Sequence, residues 1–178
     1  MGGCNLLVIS GIDGSFNEFS KSIGYYLNYN QFIRIAYDRS ISFVQNIEHM
    51  KSRVKKLNVR TVLVGWSIGA VAAAFLANCN CVDSVIMINA FFSRAEVLSR
   101  RNITCDEEVT LLSTEKQPIK YTIIAGKLDD KIPYEESLRI VEYYGLSSNN
   151  FLLYQNANHN LDSFPNGQLA HIINYHMS

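Results

Sequence analysis

The chain alternates between short, continuous apolar runs and longer segments in which apolar residues return every three or four positions. Continuous apolar runs of about four to eight residues are typical of strands that are buried on both faces of a parallel sheet. The runs predict six strands, at residues 5–9, 32–37, 61–64, 83–88, 121–125 and 151–154.

The longer segments have the spacing of amphipathic helices. The segment 41–57 predicts a surface crossover helix, with Ser40 or Ser42 as its N-cap. Its expected apolar face consists of Ile41, Val44, Ile47, Met50, Val54 and Leu57. Further helices are predicted at residues 16–27, 70–77, 94–101, between Pro133 and Gly145, and at 167–175. This alternation predicts an α/β fold with a parallel sheet and helices on both faces, formed by a single domain over residues 1–178.

Composition narrows the range of partners. With 48% hydrophobic and 18% charged residues, a chain of 178 residues can bury a full core. Its 16 basic and 16 acidic residues cancel without a dense basic cluster, which argues against a nucleic-acid partner. No apolar run approaches the roughly 20 residues that span a bilayer, so we expect no membrane partner. We expect a soluble cytoplasmic protein that acts on a small molecule.

The sequence also gives no sign of a cofactor. The four cysteines, Cys4, Cys79, Cys81 and Cys105, form no C-x-x-C pair and are expected to be reduced thiols. No pair of His, Asp, Glu or Cys residues has metal-ligand spacing at a strand end, and no Gly-x-Gly-x-x-Gly follows the first strand. We therefore expect neither a metal nor a dinucleotide.

The third predicted strand ends in Gly65-Trp66-Ser67-Ile68-Gly69, and a helix rich in alanine follows. A strand, a sharp Gly-x-Ser-x-Gly turn and a helix are the context in which a serine becomes a nucleophile. The turn holds the serine Oγ above the sheet, beside a helix N-terminus whose free N–H groups favour developing negative charge. Ser67 is therefore the candidate nucleophile.

Three other loops follow predicted strands and should lie at the same edge of the sheet. The loop 10–14 follows the first strand, Asp129 and Asp130 follow the fifth, and His159 follows the sixth. A neutral histidine can take the serine proton near pH 7 and return it to the leaving group. An aspartate can hold the required tautomer and stabilise the imidazolium. The order Ser, Asp, His is that of the α/β-hydrolase triad.

On these residues the chain resembles the α/β-hydrolases along nearly its whole length. The predicted strands would match the third to eighth strands of that fold, so the resemblance implies a minimal version. The acid loop is similar to the recurring Gly-x-x-Asp-x-x-Val-Pro, with Ile132 in the Val place, which selects Asp129 over Asp130. The turn around Ser67 is similar to that of pimeloyl-carrier-protein methyl ester esterases. Because the gap 89–120 is short, little or no cap is expected.

The resemblance and the physics together assign roles around the triad. The backbone N–H groups of Ile68 and Ile12 would bind the oxyanion, each contributing ~3 to 4 kcal/mol. Asp13 stands where it could structure its loop, cap the next helix or contact substrate. An apolar wall for an acyl chain could be formed by Trp66, Phe91, Phe92, Val97, Leu98, Leu128 and Ile132, although each is equally suited to ordinary core packing.

Three functions remain open from the sequence. The first is hydrolysis of a carboxylic ester through an acyl-enzyme on Ser67, His159 and Asp129. The second is a thioesterase that acts on an acyl-CoA or on an acyl group carried by an acyl carrier protein. The third is a catalytically inactive protein that keeps the hydrolase fold and binds without turnover.

Overall fold

The computed structural model describes residues 4–12, 29–163 and 166–178, and a sheet of six parallel strands lies at its centre. The strands are β1 Asn5–Ile9, β2 Gln31–Ile35, β3 Thr61–Trp66, β4 Val82–Ile88, β5 Lys120–Gly126 and β6 Phe151–Tyr154. The predicted parallel sheet is thus confirmed, with β3 and β5 running slightly further than expected.

The strand order is β2-β1-β3-β4-β5-β6. The chain moves outward from β1 to β2 and then returns to place β3 on the other side of β1. The order of the strands therefore reverses between β1 and β3. In open parallel sheets, the loops at the carboxyl ends of the strands diverge at such a switch point and leave a crevice for a ligand. The loops after Ile9 and after Trp66 flank this crevice.

Five α-helices lie in the described ranges: α1 Phe43–Val54, α2 Ile68–Leu76, α3 Arg94–Ser99, α4 Tyr134–Tyr143 and α5 Asn166–Met177. Short 3-10 turns are present at Leu111–Ser113 and Ser148–Asn150. The helix expected at residues 16–27 lies outside the described residues. None of the helices in the described part of the chain is both long enough and apolar enough to cross a membrane.

Ser42 rather than Ser40 caps α1. The Ser42 Oγ accepts a hydrogen bond from the Gln45 N–H at 3.2 Å, and the Gln45 Oε1 accepts one from the Ser42 N–H at 2.9 Å. This reciprocal capping box satisfies two backbone N–H groups, those of Ser42 and Gln45, that have no acceptor within the helix. The Ser40 hydroxyl instead donates to Asp38.

The buried face of α1 is rotated from the one that the apolar spacing predicted. Phe43, Asn46, Ile47, Met50 and Val54 form it. Val44, which was expected on this face, is 66% exposed. Asn46 can lie on this buried face because its side-chain amide donates to the Asp38 carbonyl at 2.8 Å and accepts from the Asp38 N–H at 2.9 Å. A hydrogen-bonded polar side chain can be buried at low cost, which apolar spacing does not report.

Two apolar layers cover the two faces of the sheet. Leu7, Ile9 and Leu63 face the layer that contains α1, α2 and α4. Leu6, Val8 and Val64 face the other layer, where Leu169 and Ile173 of α5 pack. Since successive side chains of a strand point to opposite faces, burial of both faces explains why the strands are continuous apolar runs.

Candidate active site

Ser67 occupies a strained backbone conformation between β3 and α2. Its φ is 57° and its ψ is −125°, a region that non-glycine residues rarely adopt. Its N–H donates to the Ile88 carbonyl at 2.9 Å, which ties the turn to the end of β4. Its Oγ makes no capping hydrogen bond to α2, and the residue is half-buried. The hydroxyl is therefore displayed at the carboxyl edge of the sheet.

Two glycines make this turn possible. A Cβ on Gly65 would lie 2.3 Å from the carbonyl oxygen of Gly69, and a Cβ on Gly69 would lie 2.4 Å from that of Ile9. Both distances are far below van der Waals contact with backbone atoms that cannot move aside. The glycines let the start of α2 approach β3 and β1 closely, and this approach sets the position of Ser67.

Asp129 and His159 form a buried pair near Ser67. The His159 Nδ1 and the Asp129 Oδ2 are 2.7 Å apart, and the two residues are 6% and 8% exposed. The other carboxylate oxygen accepts hydrogen bonds from the N–H groups of Lys131 and Ile132, at 2.9 and 2.8 Å. Because the carboxylate faces Nδ1, Nδ1 carries the proton of a neutral ring and Nε2 remains an acceptor. Asp130 is exposed instead.

The backbone of His159 is held by two side chains. The Trp66 Nε1–H donates to the His159 carbonyl at 2.9 Å, and the Asn89 side-chain amide donates to the same oxygen at 2.8 Å. The Trp66 and His159 rings also pack with centroids 5.0 Å apart. The Asn89 Oδ1 in turn accepts from the Gly126 N–H at 2.8 Å, at the end of β5. Asn89 therefore links the loop of His159 to the end of β5, the strand that precedes Asp129.

Asn89 was not among the candidate residues, although a signal for it existed. It directly follows β4, at the same edge of the sheet as the other candidates, and its φ of 47° is unusual for a residue other than glycine. Asparagine tolerates this left-handed conformation better than most residues. An asparagine that directly follows a buried strand is therefore as good a candidate for a site residue as the aspartates of the loop after β5.

The expected oxyanion donors lie on either side of the switch point. Ile68 is the first residue of α2, where the helix itself offers no acceptor to the N–H group. Ile12 follows β1, and the loop before it passes so close to Ser67 that a Cβ on Gly11 would lie 3.2 Å from the Ser67 Cβ. The Arg39 Nε donates to the Ile12 carbonyl at 2.9 Å and so braces this loop. Asp13 lies outside the described residues.

A pocket of about 220 Å³ opens beside these groups. Ser67 and His159 line it together, along with both expected oxyanion residues. One wall is formed by the segment between β4 and β5. The remaining lining consists of the apolar residues Phe91, Val97, Leu98 and Ile132 and the basic residues Arg39, Arg94, Arg101 and Lys131.

Three residues that were expected in the apolar wall lie elsewhere. Trp66 is 1% exposed and packs in the core beneath His159, and Phe92 is 7% exposed and packs against Tyr143. Leu128 is 59% exposed and does not line the pocket. Trp66 therefore contacts the backbone of His159 and does not line the pocket.

A larger cavity of about 770 Å³ lies at the opposite edge of the sheet, near the amino ends of β3 and β4. Its lining includes Arg60, Cys79, Cys81 and Asp83. Burial raises the pKa of both cysteine thiols, which keeps them protonated and unreactive at neutral pH. Arg60 and Asp83 form an ion pair with each other. The smaller pocket beside Ser67 is therefore the better candidate for an active site among the described residues.

A parallel sheet in this order, with a strained serine turn after β3 and an Asp–His pair after β5 and β6, is the α/β-hydrolase fold. The fold that the sequence resemblance implied is confirmed, and the segment between β4 and β5 adds only α3 and a 3-10 turn rather than a separate cap. In sequence, no protein-family model matches the chain and no curated protein matches it.

Solved structures show the same fold over nearly the whole chain. Est1E from Butyrivibrio proteoclasticus is 15% identical, with a TM-score of 0.74 and coverage of 99% of this chain and 87% of that one. The esterase domain of a Rhodothermus marinus protein is 16% identical, with a TM-score of 0.69 and coverage of 96% and 84%. A thioesterase domain from the curacin biosynthetic pathway is 12% identical, with a TM-score of 0.63 and coverage of 96% and 91%.

Proposed function

We propose that the protein is a serine hydrolase that cleaves a small carboxylic ester through an acyl-enzyme. The observation that carries this proposal is the 2.7 Å pairing of His159 with Asp129 at a pocket that the strained Ser67 also lines. The fold supports it as well, because proteins described as esterases share it at TM-scores of 0.69 and 0.74. Ser67, His159 and Asp129 would be the nucleophile, the base and the acid.

The proposed reaction has two halves. In the first, the Ser67 Oγ attacks the ester carbonyl while the His159 Nε2 takes the hydroxyl proton. The N–H groups of Ile12 and Ile68 stabilise the oxyanion of the tetrahedral intermediate. The carbon–oxygen bond to the alcohol then breaks, His159 protonates the departing alcohol, and the acyl group stays on Ser67. In the second half, water attacks the acyl-enzyme by the same route and releases the acid.

A thioesterase is the second candidate, because a thioesterase domain shares the fold with 96% of this chain covered. The same groups would attack a thioester carbonyl, and the leaving group would be a thiol of coenzyme A or of an acyl carrier protein. The two candidates share every described site residue and differ only in the leaving group.

The first test is covalent labelling with a fluorophosphonate probe, which reacts with an activated serine. We expect the folded protein to be labelled on Ser67 and the Ser67→Ala variant to remain unlabelled. Ser52→Ala removes an exposed hydroxyl on α1, away from the pocket, and should leave labelling unchanged. Labelling of a different residue, or none in the folded protein, would contradict the proposal, and complete absence of labelling would favour a binding protein without turnover.

The second test compares p-nitrophenyl esters with acyl thioesters of the same acyl group. Turnover of the esters alone favours the esterase, and a kcat/KM at least tenfold higher for the thioester, about 1.4 kcal/mol, favours the thioesterase. Either activity should disappear in Ser67→Ala.

A further inference from the structure

The pocket beside Ser67 is strongly basic for its size. Four basic side chains line it, and among the described residues no acidic side chain does. The basic residues are Arg39, Arg94, Arg101 and Lys131. Basic side chains gathered in a concave site with apolar walls focus a positive potential on that site.

The charge of these residues is only partly balanced. The Arg94 Nη1 lies 2.7 Å from the Asp106 Oδ1 and also donates to the Glu107 carbonyl at 2.8 Å, so its charge is offset. Arg39 and Arg101 form no ion pair with any residue in the described ranges. These two arginines therefore bring positive charge to the pocket that no described carboxylate neutralises.

Arg39 is also oriented. Its Nε donates to the Ile12 carbonyl at 2.9 Å, which holds the guanidinium beside the loop of the expected oxyanion donor. Both Nη groups remain without a hydrogen bond to a described residue. Arg101 is exposed just beyond the end of α3, next to the apolar wall that Val97 and Leu98 form. A fixed guanidinium that presents free N–H groups matches the two oxygens of a carboxylate or a phosphate.

We infer that the substrate carries an anionic oxygen group, a carboxylate or a phosphate, which Arg39 and Arg101 bind while its ester carbonyl lies at Ser67. The inference rests on the proposed function and names its substrate class. A volume of about 220 Å³ is small for a ligand site, so the apolar wall receives a short acyl chain. The anionic group of a short substrate then lies within reach of the arginines.

Two pairs of substrates test this inference and locate the anion. The first pair is p-nitrophenyl butyrate and p-nitrophenyl hemisuccinate, which are similar in length and differ in the terminal carboxylate of the acyl group. The second pair is the butyryl thioesters of 1-propanethiol and of 3-mercaptopropionate, which are similar in length and differ in the terminal carboxylate of the leaving group. We expect kcat/KM to be at least about tenfold higher for the anionic member of one pair, the effect of a charge-assisted hydrogen bond.

Variants of the arginines test the cause of that preference. The side chain of Arg101 makes no hydrogen bond to a described residue, so Arg101→Gln should leave the fold intact. We expect this variant to lower the ratio of anionic to neutral kcat/KM roughly fivefold or more. The double variant Arg39→Gln/Arg101→Gln should abolish the preference. Arg53→Gln, an exposed arginine of α1 outside the pocket, is the matched control and should leave the ratio unchanged. Raising the salt from about 0.05 to about 0.5 M should lower the ratio in the unmodified protein, because ions screen exposed charges.

The outcomes separate this inference from the proposed function. Preference for hemisuccinate places the anion on the acyl group, and preference for the thioester of 3-mercaptopropionate places it on the leaving group; both support the inference. Equal kcat/KM within both pairs, or a preference that survives in the double variant, overturns it while leaving a serine hydrolase. Absence of turnover of all four compounds, together with an unlabelled Ser67, contradicts the proposed function itself.

Discussion

At the scale of single residues, the two oxygens of Asp129 have different partners. One faces the His159 Nδ1, and the other accepts two backbone N–H groups, those of Lys131 and Ile132. An asparagine at this position would turn its oxygen toward the two N–H donors and its NH₂ group toward the histidine. The histidine would then have to accept at Nδ1 and carry its proton on Nε2, where it could no longer accept one from Ser67.

We therefore expect Asp129→Asn to lower kcat by about 10⁴-fold, as an inverted tautomer does in related triads, with little change in KM. Asp130→Asn changes the adjacent exposed carboxylate and serves as the matched control, with an activity close to that of the unmodified protein. Steady-state kinetics on p-nitrophenyl butyrate measures both variants. A large loss in Asp130→Asn and none in Asp129→Asn would mean that the acid has been assigned to the wrong residue.

At the scale of elements, the buried carboxylate of Glu136 connects α4 to the wall of the pocket. Glu136 is fully buried, and its Oε2 accepts from the Phe92 N–H at 3.0 Å. Its Oε1 lies 3.1 Å from the Arg100 Nη2, at the end of α3, and 3.1 Å from the Arg139 Nη1. The Arg139 guanidinium also lies over the Phe92 ring, 4.6 Å from its centroid. One carboxylate thus connects the loop after β4, the end of α3 and α4.

Removing this charge should weaken the fold. In Glu136→Gln two arginines lose their shared counter-charge, and we expect the free energy of unfolding to fall by about 2 to 3 kcal/mol. The loss is limited because both arginines are partly exposed and Arg139 also pairs with Glu96. The neighbouring Glu135 is exposed on the same helix turn, so Glu135→Gln should change the stability by less than about 0.5 kcal/mol. Urea unfolding measures both, and equal stabilities would show that the network contributes nothing.

At the scale of the whole molecule, His176 joins the last helix to the sheet. Its Nε2 lies 2.8 Å from the Thr122 Oγ1 of β5, and its buried Nδ1 has no partner among the described residues. Burial, and secondarily the charge of Lys120, lowers the pKa of His176 to about 4. An unfolded histidine titrates near pH 6.5, so between about pH 6.5 and pH 4 the unfolded chain binds the extra proton. The neutral His176 ring therefore makes its full contribution to the free energy of unfolding above about pH 6.5, and this contribution is lost as the pH falls toward 4.

Replacement of His176 should therefore reduce the loss of unfolding free energy on acidification. Between pH 7 and pH 4.5, we expect the unfolding free energy of His176→Gln to fall by about 2 kcal/mol less than that of the unmodified protein. His171→Gln changes an exposed histidine of the same helix and should fall as much as the unmodified protein does. Urea unfolding at the two pH values measures the free energy of unfolding of each protein. All other titratable groups are the same in the variant and in the unmodified protein, so their contributions cancel in the comparison. Parallel losses in the two variants would contradict a neutral buried His176.

Local signals in the sequence were enough for the described strands and helices, and they predicted that the candidate residues lie at one edge of the sheet. Continuous apolar runs identified all six strands, because a strand buried on both faces needs no polar alternation. Gly65 and Gly69 identified the turn at Ser67, where a Cβ on either residue would lie only 2.3 or 2.4 Å from a backbone oxygen. Asp129, Asp130 and His159 became candidates by their positions after strands, since the carboxyl ends of parallel strands meet at one edge. The similarity of the acid loop to a recurring family motif then selected Asp129.

The tertiary structure alone decided which side chains meet. Arg39 braces the loop of Ile12, 27 positions away, and Trp66 holds His159, 93 positions away. The burial of Glu136 and of His176 likewise depends on elements that are distant in the chain. Apolar spacing predicts that one face of an element is buried, and a motif predicts a local backbone conformation. Neither identifies the residue that a given side chain will contact. That identity follows from how crossovers stack helices on the sheet, which is a property of the folded chain and not of any one segment.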